Sequence, residues 1–275
     1  MPNYSNNTIV IKGDEKKLLA FINEGLKNAG LETSNDLKEA YIRLFDNGKK
    51  VTLTTFRPMP ETFREFDTTN DYNPELVEHI ATNNKRSLCE TIHPAYVDEM
   101  KGCTDKEKIK EVQERYRIDF ENAKFAQRQM YGVVGWYDYN VNIALGTKWD
   151  TDFDTSSLGT SNNGQKMLTL TCSTAWSYPD CWLKYVAKAF DLMVFIFAIE
   201  ESDDYHGCGY VKTNDYSEDC HIEWSDFTRN TEEPEDDDWD SFYEEIDSEN
   251  IDYENKFLEA IGSDDDPENI GEWMS

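Results

Sequence analysis

The sequence predicts an α+β protein: an antiparallel sheet with an inserted helical region and an acidic C-terminal extension carrying short helices. Three observations lead there. β-rich runs and amphipathic helical stripes alternate at the two ends of the first 213 residues, and the stretch between them reads as helix. The charge then changes abruptly near residue 200. Residues 1–213 are accordingly expected to form the α+β domain, with its helical insertion at about 60–131, and residues 214–275 the acidic extension.

Along the chain, Asn6–Lys12 (NNTIVIK) reads as a strand stopped by Gly13, and Asp14 is placed to cap a helix with Leu18, Leu19, Ile22, Leu26 and Ala29 on one face. Gly30 ends that helix. YIRLFDNGKKVTLTTF places two β-rich runs around Asp46-Asn47-Gly48, which predicts a hairpin, and Arg57-Pro58-Met59-Pro60 breaks it. Pro74 opens a helix with Leu76, Val77, Ile80, Ala81 and Leu88 at helical spacing. A longer helix is expected from about Thr104 to Met130, striped by Ile109, Val112, Tyr116, Phe120 and Ala123. GWYDYNVNIALGTKWD is read as an aromatic loop and TSSLGTSNNG as a polar connection. Met167–Thr174 alternates as a strand; Pro179-Asp180 starts a helix with Leu183, Val186, Ala187 and Phe190 inward. Met193–Ile199 is apolar enough for a central strand, and Tyr205–Lys212 with Cys220–Trp224 suggests a closing hairpin.

Charge narrows the function classes. The net charge is −29, but residues 200–275 hold 28 acidic side chains against Lys212, Arg229 and Lys256, whereas residues 1–199 come to only −4. Such a surface repels a nucleic-acid backbone and attracts basic proteins. No apolar run reaches the roughly 18 residues of a membrane span. The opening MPNYSNNTIVIKG lacks the layout of a secretory signal. Six cysteines in this length read as reduced thiols, and the expected location is the cytoplasm.

The acidic region is not a plain solubilising tail. In EEPEDDDWDSFYEEI, Pro234 suits a first helical turn, and Trp239, Phe242, Tyr243 and Ile246 recur at i, i+3, i+4, i+7 on one face. Tyr253, Phe257 and Ile261 continue at i, i+4, i+8. The expected partner-binding residues are Glu235, Asp236, Asp237, Asp238, Trp239, Asp240, Phe242, Tyr243, Glu244, Glu245, Asp247 and Glu249: carboxylates in fixed positions with aromatic anchors among them.

Four stretches also carry a resemblance. MPNYSNNTIVIKG, TTFRPMPETF, GWYDYNVNIALGTKWD and LTCSTAWSYPDCWLKYVAKAF occur in the order found in the YubB-like ferredoxin-fold family of plasmid- and phage-encoded proteins, which this chain resembles over roughly residues 1–213. The resemblance implies a ferredoxin-like core with an inserted helical region, and an accessory gene of a mobile element. It assigns no reaction and no catalytic residue. This chain departs from the pattern after Pro179, where Asp180 and Cys181 follow, and in the acidic extension.

Other constellations are weaker. His206, Cys208, Cys220 and His221 are zinc-type ligands, but adjacent strand residues point to opposite faces, so ordinary hairpin residues are the better reading. Asp150, Asp152 and Asp154 start like a calcium loop, yet Thr155 and Ser161 stand where glycine and an acid are needed. Lys148 with Trp149, Trp136 and Tyr137 is either a ligand-lining group or, the favoured reading, a structural block. No nucleophile motif, glycine-rich phosphate loop or distinct acid/base pair stands out, so no enzyme and no cofactor are expected. The expected function is inhibition of a basic, nucleic-acid-binding host defence protein, such as a nuclease, by an acidic surface that mimics nucleic acid. The alternatives are an accessory or structural protein whose tail only solubilises or autoinhibits, and an unrecognised enzyme.

Overall fold

The computed structural model describes residues 4–66, 68–73, 94–161, 164–200, 206–213, 220–224, 253–255, 257–258 and 261. The chain divides into two compact units, Met1–Pro58 with Leu145–Ser275, and Met59–Ala144.

The first unit is built on a six-stranded antiparallel sheet in the order β2-β3-β1-β4-β5-β6. Its elements are β1 (Tyr4–Gly13), α1 (Glu15–Asn28), α2 (Leu37–Phe45), α3 (Leu53–Phe56), β2 (Thr155–Thr160) and β3 (Lys166–Ala175). The helix Asp180–Phe190, then β4 (Met193–Glu200), β5 (His206–Thr213) and β6 (Cys220–Trp224) complete it. β1 lies between β3 and β4 and runs antiparallel to both. β1-α1-β2-β3-helix-β4, with strand order 2-3-1-4, is the split βαβ arrangement of the ferredoxin-like fold. β5 and β6 extend the sheet beyond β4, the latter pairing Thr213 with Cys220 and Gly209 with Trp224.

Strand alternation sorts the two faces. Ile9 pairs with Leu170 and Ile196, and Ile11 with Leu168 and Val194; all six are buried on the side that α1 covers. Asp14 caps α1 by accepting from the Lys16 amide at 2.8 Å, and Leu18, Phe21, Ile22 and Leu26 turn inward. Phe21 stacks on Phe56 at 4.2 Å, and both meet the edge of fully buried Trp182, whose Nε1 donates to the Leu53 carbonyl at 3.0 Å. The opposite face carries Val10, Phe195 and Phe197. Phe257, Leu258 and Ile261 pack there, with Phe197 and Phe257 centroids 6.0 Å apart.

Three expectations fail. The hairpin around Asp46-Asn47-Gly48 is the end of a helix: Asp36 accepts from the Glu39 amide at 2.8 Å, starting α2, and Leu37, Ala40 and Leu44 bury one side. Asn47 closes it by donating to the Arg43 and Leu44 carbonyls, and Gly48 takes the turn at φ 74°. The second run forms α3, started by the Thr52–Thr55 capping box. TSSLGT is strand β2, since its threonine and serine side chains suit an outer strand paired to β3. The first part of the aromatic stretch, residues 135–144, is helical, whereas residues 145–150 are loop as expected.

That unit comprises α4 (Glu61–Glu65), α5 (Pro94–Met100), α6 (Lys106–Tyr131) and α7 (Gly135–Tyr139), which continues as a π-helical turn over Asn140–Ala144. The long helix matches its expected stripe: Val112, Tyr116 and Phe120 are buried with Tyr96 and Met100. Its hub is polar. Gln127 is fully buried, donating to the Thr62 carbonyl at 2.8 Å while its Oε1 accepts from Thr68 and from the Gly135 amide. The helix expected from Pro74 lies outside the described residues.

Candidate functional site

At the β3 end nearest the Asp180–Phe190 helix, here α8, two loops are stitched together. Thr147 Oγ1 donates to the Ala175 carbonyl at 2.8 Å, Ser177 Oγ to the Gly146 carbonyl at 2.8 Å, and the Trp182 amide to the Leu145 carbonyl at 3.2 Å. Gly146 sits at φ 83°, and a Cβ there would lie 2.7 Å from the Asp180 backbone nitrogen, so only glycine fits.

These loops hold Lys148 between two indoles. Its Nζ lies 4.6 Å from the centroids of both Trp149 and Trp176, whose rings are 6.2 Å apart and tilted by 47°. Trp149 is 40% exposed and Trp176 49%. Trp176 also adopts φ 68°, a left-handed conformation that a bulky residue rarely takes. Sequence reasoning named Lys148 and Trp149 but missed Trp176, because a backbone angle leaves no periodic trace. Trp136 and Tyr137 belong to the helical unit, where their rings contact each other edge to face.

Two of the three would-be calcium carboxylates have structural partners. Asp150 accepts from both the amide and the hydroxyl of Thr54, and Asp152 pairs with Lys50. For the zinc-type residues, the register places Cys220 opposite Thr213, five positions along β5 from buried Cys208, or about 17 Å at strand rise. No cluster of three or more histidine, cysteine or acidic residues is placed to hold a metal among the described residues. Burial raises the thiol of Cys181 to about 11 and that of Cys172 further, so neither is a ready thiolate.

The helical unit contains a cavity of about 720 Å³ lined in part by Phe66, Tyr96, Glu99, Arg115 and Asp119. Tyr96 donates to Asp119, and Arg115 pairs with Glu99. Burial, then the Asp119 carboxylate, pushes the Tyr96 phenol up to about 12. It remains a proton donor toward Asp119.

The expected partner-binding residues, Glu235 to Glu249, lie outside the described residues. Closer to the C-terminus, residues 253–255, 257–258 and 261 are helical, and Tyr253, Phe257, Leu258 and Ile261 pack on the sheet. Lys12, 5% exposed, donates to the Ile261 carbonyl at 2.9 Å, and burial lowers its pKa. Glu254 has a buried carboxylate oxygen without a hydrogen-bond partner, and burial raises its pKa.

No helix among the described residues is long and apolar enough to cross a membrane. No family model and no curated protein matches the chain. Among solved structures, the crystal structure of a protein api92 from Yersinia pseudotuberculosis, with the family model DUF1281, is similar at 9% identity. The match covers 76% of this chain and 94% of that one with a TM-score of 0.30, a likeness too low to carry an argument.

Proposed function

We propose that this chain is a mobile-element accessory protein that binds a basic, nucleic-acid-binding host protein through an acid-rich surface and blocks it by imitating the charge of nucleic acid. The observation that carries this reading is where the acid-rich stretch begins and ends. Residues 225–252 contain 13 acidic side chains and one basic residue, Arg229. They follow β6, which is paired into the sheet, and precede Tyr253, Phe257, Leu258 and Ile261, which pack on the same sheet. Thirteen carboxylates against one guanidinium make this stretch strongly anionic. The resulting field speeds encounter with a cationic surface and fades as salt screens it. The resemblance to plasmid- and phage-encoded proteins supports a defence nuclease as the target.

The test is inhibition of DNA cleavage by a panel of purified restriction and CRISPR nucleases. It compares the full chain with a variant in which Glu235, Asp236, Asp237, Asp238, Glu244, Glu245 and Asp247 become amides. Inhibition of at least one nuclease is expected at about 50 mM salt, with relief at about 0.5 M and loss in the amide variant. Absence of inhibition across the panel at low salt sinks the reading, as does inhibition that survives both high salt and the amide variant.

A further inference from the structure

We propose that Asn47 is a site of spontaneous deamidation in the folded protein, and that its conversion releases the C-terminal turn of α2. Asparagine followed by glycine cyclises readily, because no side chain shields the attacking backbone nitrogen. The sequence contains two such pairs, Asn47-Gly48 and Asn163-Gly164, and of their asparagines only Asn47 is among the described residues. Its surroundings leave the reacting atoms accessible. Asn47 and Gly48 are both exposed, and nothing lies within 4 Å of the position that a Cβ on Gly48 would take. The Gly48 N–H has no acceptor among the described residues, so no hydrogen bond must break before its nitrogen reacts. Asn47 Oδ1 accepts from the Lys49 amide at 2.7 Å, which draws electron density from Cγ and makes it a better electrophile.

The reaction needs only water and its hydroxide. The Gly48 amide gives its proton to hydroxide, its nitrogen bonds to Asn47 Cγ, the Cγ–Nδ2 bond breaks, and ammonia leaves behind a succinimide ring. Water then opens the ring at either carbonyl. Opening at Cγ gives aspartate, and opening at the main-chain carbon gives isoaspartate, whose backbone runs through Cβ and Cγ. Both products carry a new carboxylate in place of the amide. That amide caps α2: Nδ2 donates to the Arg43 carbonyl at 2.5 Å and to the Leu44 carbonyl at 3.2 Å. Conversion removes this donor and sets a negative charge beside Asp46, at the helix end where the dipole is already negative. Leu44, in that last turn, is 1% exposed and lies against Gly25 of α1. Loss of the cap therefore loosens the seat of α2 on α1.

The test is peptide mapping by mass spectrometry of the full chain, aged for weeks in heavy-oxygen water at mildly alkaline pH, folded and, in parallel, in denaturant. In the folded chain Asn47 is expected to convert roughly tenfold faster than asparagines not followed by glycine, giving aspartate and isoaspartate that each carry a heavy oxygen. An Asn47 that keeps its amide in the folded chain while it converts in denaturant would overturn the proposal. The effect on α2 is read separately in Asn47→Asp, which has one of the two products from the start. Hydrogen exchange of the Phe45 and Asp46 amides should be roughly five- to thirtyfold faster there, while β1 and β4 keep their protection. Exchange unchanged at those two amides would overturn the release of the turn.

Discussion

The two faces of the sheet are closed in different ways. On one, Ile9, Ile11, Leu168, Leu170, Val194 and Ile196 meet Phe21, Phe56 and Trp182 in a packed apolar layer supplied by α1, α3 and α8. On the other, Val10, Phe195 and Phe197 are covered by a few residues from near the end of the chain, with a buried lysine amine and a buried carboxylate oxygen beside them. The first face is assembled by elements that the topology forces together. The second depends on a segment whose attachment includes two polar groups costly to bury. One face carries the packed layer between sheet and helices, and the other takes its cover from a separate segment.

The comparison can be broken most severely on the first face. Trp182→Ala removes a fully buried indole, its edge contacts with Phe21 and Phe56, and the hydrogen bond to Leu53, so it should cost about 3–5 kcal/mol in urea denaturation. On the second face, Phe257→Ala should cost less globally, roughly 1–3 kcal/mol. Hydrogen exchange should then speed up around residues 253–261 while β1 and β4 stay protected, because undocking is local. Equal loss of protection on both faces would show that they form one cooperative unit.

The smallest expected effect separates the polar part of the cover. Burial raises the folded-state pKa of Glu254 above its usual 4.5, so its protonated form favours the docked state. Its contribution is present below about 4.5 and is lost as pH rises through the raised folded value. Glu254→Gln should flatten the pH dependence of protection at 253–261 in that window and tighten docking at neutral pH. A dependence unchanged by the substitution would point to another group.

Legibility in the sequence followed the same divide. β1, β3 and β4 were readable because they carry alternating or continuous apolar runs, and the long helix because Val112, Tyr116 and Phe120 keep one period over several turns. The region 37–56 misled because its aromatic and β-branched residues favour strands, while the deciding signals were Asp36 three residues before Glu39 and the burial of Leu37, Ala40 and Leu44. Gln127 lies outside the apolar stripe of its helix, yet tertiary partners bury it completely. At the tryptophan site, the partner of Trp149 lies 27 residues away in the chain, and only the hydrogen bonds joining the two loops bring it near. The spacing of Tyr253, Phe257 and Ile261 announced a docking face, though not the surface that receives it.

Among the described residues, β5 and β6 move the outer strand of the sheet from β4 to β6. An unprotected outer strand invites a second molecule to add its own strand and begin a stack. Here the outer strand runs directly into the most anionic part of the sequence, so two copies approaching border to border would bring like charges together. The acidity of that stretch thus opposes polymerisation of copies of the protein through their sheets.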